Sequence, residues 1–488
     1  MIASLAIIAL APIVALGLGL RARAGHTMGL EQWTVGGRGF SSILVFLLLA
    51  GEIYTTFTLL GASGWAYGQG APAYYIICYL TLGYILTYFM LPPVWLYAKE
   101  NGLVSQPDYF ARRYDSPALG ILVSLVDVVA LIPYLVLQLT GLGIIVTAAG
   151  YGVIPKQAAV WIGAAVVTAY VIVSGVRGSA WTAVLKDTAI LVVVVSLGIY
   201  LPIHLYGGVG PMFEAIAREK PGFLTFPASG KSLSWFVSTT LLTAVGSFMW
   251  PHPFAASYTA RNARVFRQNA ILLPIYQLIL LFVYFVGFAA VLNVPALKGS
   301  ETDLALFTLV VKELPPWVVG IVGATGVLTA LVPGSMVTMT TATLIARNLY
   351  GAARPRASEA EIVVLAKALV LPVMLIAVYL TLAGSSTIVT LLLVGYSFVT
   401  QMFPAVAATL LAREYVTKEG AFSGILAGVA VAAWLTFTHS SLGTLLPGLP
   451  QPVQDLNVGV VALAVNVAVL VAVSAATRTR LAVPAGER

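Results

Sequence analysis

Long apolar runs separated by short polar stretches pattern this chain from end to end. A run of about 20 apolar residues is what a helix needs to cross a bilayer. Thirteen can be laid out, centred near Ile8, Leu49, Leu80, Val129, Val166, Val194, Thr243, Leu281, Thr329, Val373, Gly395, Val429 and Leu463. The pattern predicts an all-α integral membrane protein with thirteen transmembrane helices.

Two runs are interrupted. The second, LLLAGEIYTTFTLLGASGW, carries Gly51, Glu52 and polar threonines near mid-depth. In the seventh, LTAVGSFMWPHPFAASY, Pro251 and Pro253 flank His252. Each proline lacks a backbone donor, so an unbroken helix is not expected there. Broken backbone at membrane depth is tolerated only where protein or water satisfies it. Two interrupted spans five apart point to an inverted-repeat transporter with its site between the breaks. The alternative is a pair of kinked helices that hold no ligand.

Composition narrows the class. Of the 488 residues, 59% are hydrophobic and 9% charged, against about 25% charged in an average soluble domain. A soluble enzyme with a membrane tail is excluded, and no polar stretch is long enough for a separate domain, so residues 1–488 read as one transmembrane unit. The single cysteine, Cys78, allows no internal disulfide or cysteine metal cluster. The four histidines have no paired metal spacing, and GxxxxGK[ST] is absent. No metal or cofactor is expected.

Charge sets orientation. Alternate loops hold 18 of the 26 basic residues, among them Arg112, Arg113, Arg261, Arg264, Arg347 and Arg354. The opposite loops hold six, from Lys156 to Lys312. The basic side is the cytoplasm. The N-terminus is therefore expected outside, in the periplasm, and the C-terminus inside, in a multi-pass protein of the inner (cell) membrane. The net charge of +8 is an orientation signal and not a nucleic-acid surface. Arg21 and Arg23 follow the first run instead of preceding it, which reads as a retained span and not a signal peptide.

Several motifs resemble those of the sodium/solute symporter family. Glu31-Gln32-Trp33-Thr34-Val35-Gly36-Gly37-Arg38 resembles its signature before the second span. Ser63 to Gly68 resembles the Gly-rich end of that span, and Gln138 to Gly143 its Q-x-x-A-x-G on span 4. Gly175-Val176-Arg177 with Trp181-Thr182 resembles the opening of span 6. Trp250-Pro251-His252 resembles its Q-P-H. More narrowly, SAWTAVLKD, LGIYLPIH and LVPGSM resemble a bacterial branch that transports monocarboxylates, including lactate, pyruvate, acetate and alanine. The resemblance implies a leucine-transporter-like five-plus-five inverted repeat, residues 40–205 and 232–412. Span 1 and the two spans within 418–475 would be peripheral.

One departure is informative. Sodium-coupled members usually carry W-T-D on span 6, where this chain has Trp181-Thr182-Ala183, with Lys186 one turn on. They usually put paired hydroxyls on span 9. Counting back from Asn348-Leu349-Tyr350, those positions fall at Thr329, Val332 and Pro333. Sodium wants oxygen ligands, which valine and proline side chains lack. The resemblance then implies that the Lys186 ammonium occupies the place of the ion.

The candidate residues each carry two readings. Lys186 lies about eight residues into its span, roughly 12 Å from the inner end. It is either a snorkelling lysine or a proton-carrying, sodium-replacing amine, since burial favours the neutral form. Asp127 on span 4 lies at similar depth and is the expected partner, because Asp187 is rotated about 100° from Lys186 on an ideal helix. Asp127 is either a salt-bridge residue or part of a proton path. Glu52 either receives protons or caps the broken helix. Tyr54, Thr55 and Thr56 either hold a carboxylate with the helix amides or are back-bonded. His252 donates to a substrate or is a packed histidine, and Trp250 and Gln138 wall the cavity or belong to the core.

The leading expectation is secondary active uptake of a small monocarboxylate, coupled to protons or independent of sodium. A sodium-coupled symporter of another small solute, such as an amino acid, is the alternative. A membrane enzyme lacks a catalytic constellation, a channel lacks a filter-like loop, and a sensor would need a domain after residue 475.

Overall fold

The computed structural model describes residues 1–23, 38–411 and 415–478, without the side chains at 22, 23, 52 and 175–177. Among the described residues the chain is helical, with one isolated bridge between Phe40 and Ala260. Eleven helices among the described residues are long and apolar enough to cross a membrane, or twelve if a pair bent by 45° is one span. That bent pair, Leu233–Gly246 and Pro251–Ser257, is the interrupted seventh run. The second run begins as Ser42–Ile53, only 12 residues, about 18 Å at 1.5 Å per residue and too short to span alone. It breaks, passes a π turn over Phe57–Gly61, and resumes as Ala62–Gln69. The expected thirteen is reached only if Ser42–Gln69 counts as a second broken span.

The helices used below are α1 (Ile2–Arg23), α2 (Ser42–Ile53), α3 (Ala62–Gln69), α4 (Tyr75–Glu100) and α5 (Gln106–Arg113). They continue with α6 (Pro117–Ala149), α7 (Lys156–Tyr206), α8 (Leu233–Gly246), α9 (Pro251–Ser257), α10 (Arg264–Gln277), α11 (Pro316–Thr343) and α12 (Ile388–Val399). Helix α7 covers two candidate spans, 156–174 and 178–206. Side-chain caps fix several starts: the Ser116 hydroxyl accepts from the Leu119 amide at α6, and Thr387 accepts from Thr390 at α12. A soluble helix would show one apolar stripe. Here large apolar side chains also point outward, with Phe89 and Tyr379 each 71% exposed, as a lipid-facing surface requires. Helix α11 runs through the middle, packed on α6, α7 and α1. Its burial and the two breaks beside it position the site.

Candidate functional site

Helix α2 ends where its last carbonyls have no helical partner. The Tyr54 amide still bonds the Ala50 carbonyl, and the Thr55 amide takes the Ile53 carbonyl. The carbonyls of Gly51 and Tyr54 are left to Lys186. Its Nζ donates to Gly51 O at 2.9 Å and to Tyr54 O at 2.7 Å, and it pairs with Asp187 Oδ1 at 2.9 Å. Two of the three N–H donors of the ammonium are placed on these carbonyls, and the carboxylate balances its charge as an ion pair. The carbonyl end of a helix carries partial negative charge, so a cation there is doubly favoured. Lys186 is fully buried, which removes the snorkelling reading.

The expected Asp127 partner is corrected: the ion pair is Lys186–Asp187. Neighbouring residues leave a helix at different angles, but the long lysine stem brings its tip within reach of the adjacent carboxylate. Asp127 is fully buried, and neither of its carboxyl oxygens has a hydrogen-bond partner among the described residues. Val332 of α11 lies beside the pair: a methyl on Gly51 would sit 3.8 Å from both Lys186 Nζ and Val332 Cγ1, and 3.1 Å from Ala183 Cβ. Thr329 takes no part, because its hydroxyl donates to the Gly326 carbonyl of its own helix. Glu52 has its side chain outside the described residues, as do residues 31–37 of the first motif; Arg38, which is described, donates to the Leu103 carbonyl.

The two breaks face a cavity of about 40 Å³. A water needs roughly 10–15 Å³ measured this way and about 30 Å³ of liquid volume. The space thus holds about three waters, the bulk of a few-carbon solute. Thr55, Trp250 and His252 line it together. Tyr54, Thr56 and Gln138 do not. The Tyr54 hydroxyl is spent on the Tyr276 carbonyl, and Thr56 donates to Gln138 Oε1 at 2.9 Å, joining the break to α6. Thr55 closes a turn, accepting from the Phe57 amide while Thr58 caps the Thr55 amide. This is a polar knot at the break and not the helical back-bonding weighed above.

Aromatic rings form much of the remaining wall. Tyr134 of α6 lies 5.0 Å, centroid to centroid, from both Trp250 and His252. Tyr396 of α12 stands edge-on to Trp250 at 5.3 Å and to Tyr79 at 5.6 Å. Gly395 makes room: a methyl there would lie 2.3 Å from Trp250 Cη2. His252 also borders a second cavity of about 20 Å³ with Gln106, Met339 and Thr340. Gln106 Nε2 donates to the Met249 carbonyl at the break between α8 and α9. Nearby, Asp108 holds Arg347 at 3.2 Å and Asn348 at 2.8 Å. Tyr79, Tyr84, Tyr134, Tyr396 and Gln106 were not anticipated from the sequence. Aromatic residues in an apolar span carry no pattern that sets them apart from core or lipid-facing positions.

An all-helical membrane bundle whose two broken helices meet at a small buried cavity is the architecture of a solute transporter, not of an enzyme. The model of the sodium:solute symporter family matches residues 33–428, and the chain belongs to that family. It is 59% identical over 466 residues, covering 96% of this chain and 95% of the relative, to the uncharacterized symporter YhjB of Bacillus subtilis. It is 27% identical to a monocarboxylate transport permease protein of Rhizobium johnstonii, over 91% of this chain and 90% of that one. A sodium/proline symporter of Salmonella typhimurium is 24% identical over 86% of each chain. Among solved structures, a Na+-coupled sialic acid symporter in a substrate-bound, outward-open state matches with TM-score 0.77 and 14% identity, over 97% of this chain and 98% of that one.

Proposed function

We propose that the chain takes up small monocarboxylates such as lactate, pyruvate and acetate by alternating access in the cell membrane. In this reading uptake is coupled to protons, with Lys186 in place of a sodium ion. The observation that carries it is the Lys186 ammonium on the Gly51 and Tyr54 carbonyls, balanced by Asp187. Those are hard oxygen ligands, the kind sodium takes, gathered around a group that can release a proton. With the proton on Nζ, the charge pins the end of α2. When Nζ gives the proton to water on the inner side, the pull on both carbonyls weakens and the break loosens. One proton thereby biases the conformational equilibrium.

The substrate class is supported by the cavity's size and apolar walls and by the 27% identity to a monocarboxylate permease. The two halves, 40–205 and 232–412, would rock about the site as inverted repeats, with the N-terminus outside. The 24% identity to a sodium/proline symporter favours one competing reading, sodium-coupled uptake of an amino acid. Uptake of labelled lactate by proteoliposomes separates the two. Competition by pyruvate and acetate, with none by proline or glucose, is expected. Competition by proline alone would remove the monocarboxylate assignment.

A further inference from the structure

Tyr84 of α4 is 1% exposed and lines the central cavity, yet its hydroxyl has no hydrogen-bond partner among the described residues. The other hydroxyls around it are engaged. Thr55 accepts from the Phe57 amide, Ser247 donates to the Ala244 carbonyl, and Tyr79 and Tyr396 bond to each other. A buried hydroxyl gives up its solvation, and native interiors rarely leave one unmatched. Hydrocarbon offers no replacement. The orphan is therefore placed where a ligand would answer it.

The lining narrows the ligand. It contains no acidic side chain, and Leu49, Ile53, Leu80 and Leu392 supply apolar contact. A phenol O–H is a good donor to a carboxylate. Resting on the functional reading above, we propose that the Tyr84 hydroxyl donates a hydrogen bond to the carboxylate of the bound substrate. Tyr84 is then a substrate-binding residue, and the short alkyl end of the solute packs on the leucine-rich wall.

Tyr84→Phe removes one oxygen and keeps the ring. Because that oxygen has no partner among the described residues, the variant melts no lower than wild type without ligand. With labelled lactate in proteoliposomes, KM rises about ten- to a hundredfold, the range for a lost hydrogen bond to a charged group. The lactate-induced rise in melting temperature shrinks in step. Tyr258→Phe is the control: that tyrosine is equally buried and its hydroxyl has no partner among the described residues, but it does not line the cavity, and it keeps the wild-type KM. An unchanged KM in Tyr84→Phe overturns the assignment, as does a lower melting temperature of its ligand-free form. Wild-type protein that takes up no monocarboxylate overturns the functional reading and the carboxylate contact together, an outcome distinct from either.

Discussion

The two breaks in the bundle are held by different chemistry. At the end of α2, two carbonyls are pinned by the Lys186 ammonium, itself paired with Asp187. Between α8 and α9, the Met249 carbonyl is held by the neutral amide of Gln106, from the turn that begins α5. In the proposed mechanism, moving one proton releases the first hold and leaves the second untouched. The charge that carries the proposed coupling thus sits at one break. The other break is tied to the Ser105–Asp108 turn, where Asp108 already grips Arg347 and Asn348.

Removing the charge breaks the contrast most severely. Lys186→Gln is expected to abolish accumulation while keeping substrate exchange, since exchange needs no net proton movement; counterflow beside net uptake checks this. It also strands Asp187 in the core, which costs about 3–5 kcal/mol. Lys186→Gln with Asp187→Asn should regain melting temperature without regaining accumulation. Lys186→Arg should couple poorly as well, because a guanidinium does not deprotonate in this range.

A smaller disturbance targets the neutral side. Gly395→Ala places a methyl against Trp250; such overpacking costs about 1–3 kcal/mol. The ring, which lines the cavity, must shift, so KM should rise while coupling to the ion persists. Gln106→Leu removes one neutral hydrogen bond, worth about 1 kcal/mol, or roughly a fivefold shift in the gate equilibrium. Labelling of a cysteine at Thr340, which lines the second cavity, should speed up accordingly while accumulation survives. Loss of coupling in either variant would erase the distinction between the two breaks.

A contact away from both breaks involves the turn before residue 305. Thr302 packs on Gly64 of α3, and Asp303 Oδ2 accepts from the Ile388 amide at the start of α12. Burial pushes the Asp303 carboxyl up to about 7, against the opposing pull of that amide and of Lys156. Its folded value lies above its unfolded one, so its contribution is fully present below about pH 4 and is lost as pH rises through 7. Between pH 5 and 8 the wild type should therefore lose melting temperature relative to Asp303→Asn, and below pH 4 the two should converge. The slope can reach about 1.4 kcal/mol per pH unit.

Much of this arrangement could be read from residue order. Helix-length apolar runs located the spans, because a bilayer demands length and composition that chance does not supply. Pro251 and Pro253 marked one break and Gly51 with Thr55 and Thr56 the other. Lys186 stood out because a charge in an apolar run costs too much to be idle. Its partner was misread: Asp187 was set aside on ideal helical geometry, which ignores what a flexible four-carbon stem can reach. Tyr84, Tyr134 and Tyr396 were invisible for another reason. Which tyrosines meet at a cavity depends on helix rotation and packing, and a chain with 22 tyrosines offers no local sign. Gln106 was missed because its role is a contact with Met249, 143 residues away.

The central claim is that an ammonium does in this protein what a sodium ion does in sodium-coupled members of its family. Proteoliposomes loaded at uniform potential test it when the two gradients are imposed one at a time. An inward pH gradient without sodium should drive labelled lactate above equilibrium, and a proton ionophore should abolish that accumulation. An inward sodium gradient at uniform pH should drive none. Accumulation under the sodium gradient alone, with none under the pH gradient, would contradict the claim.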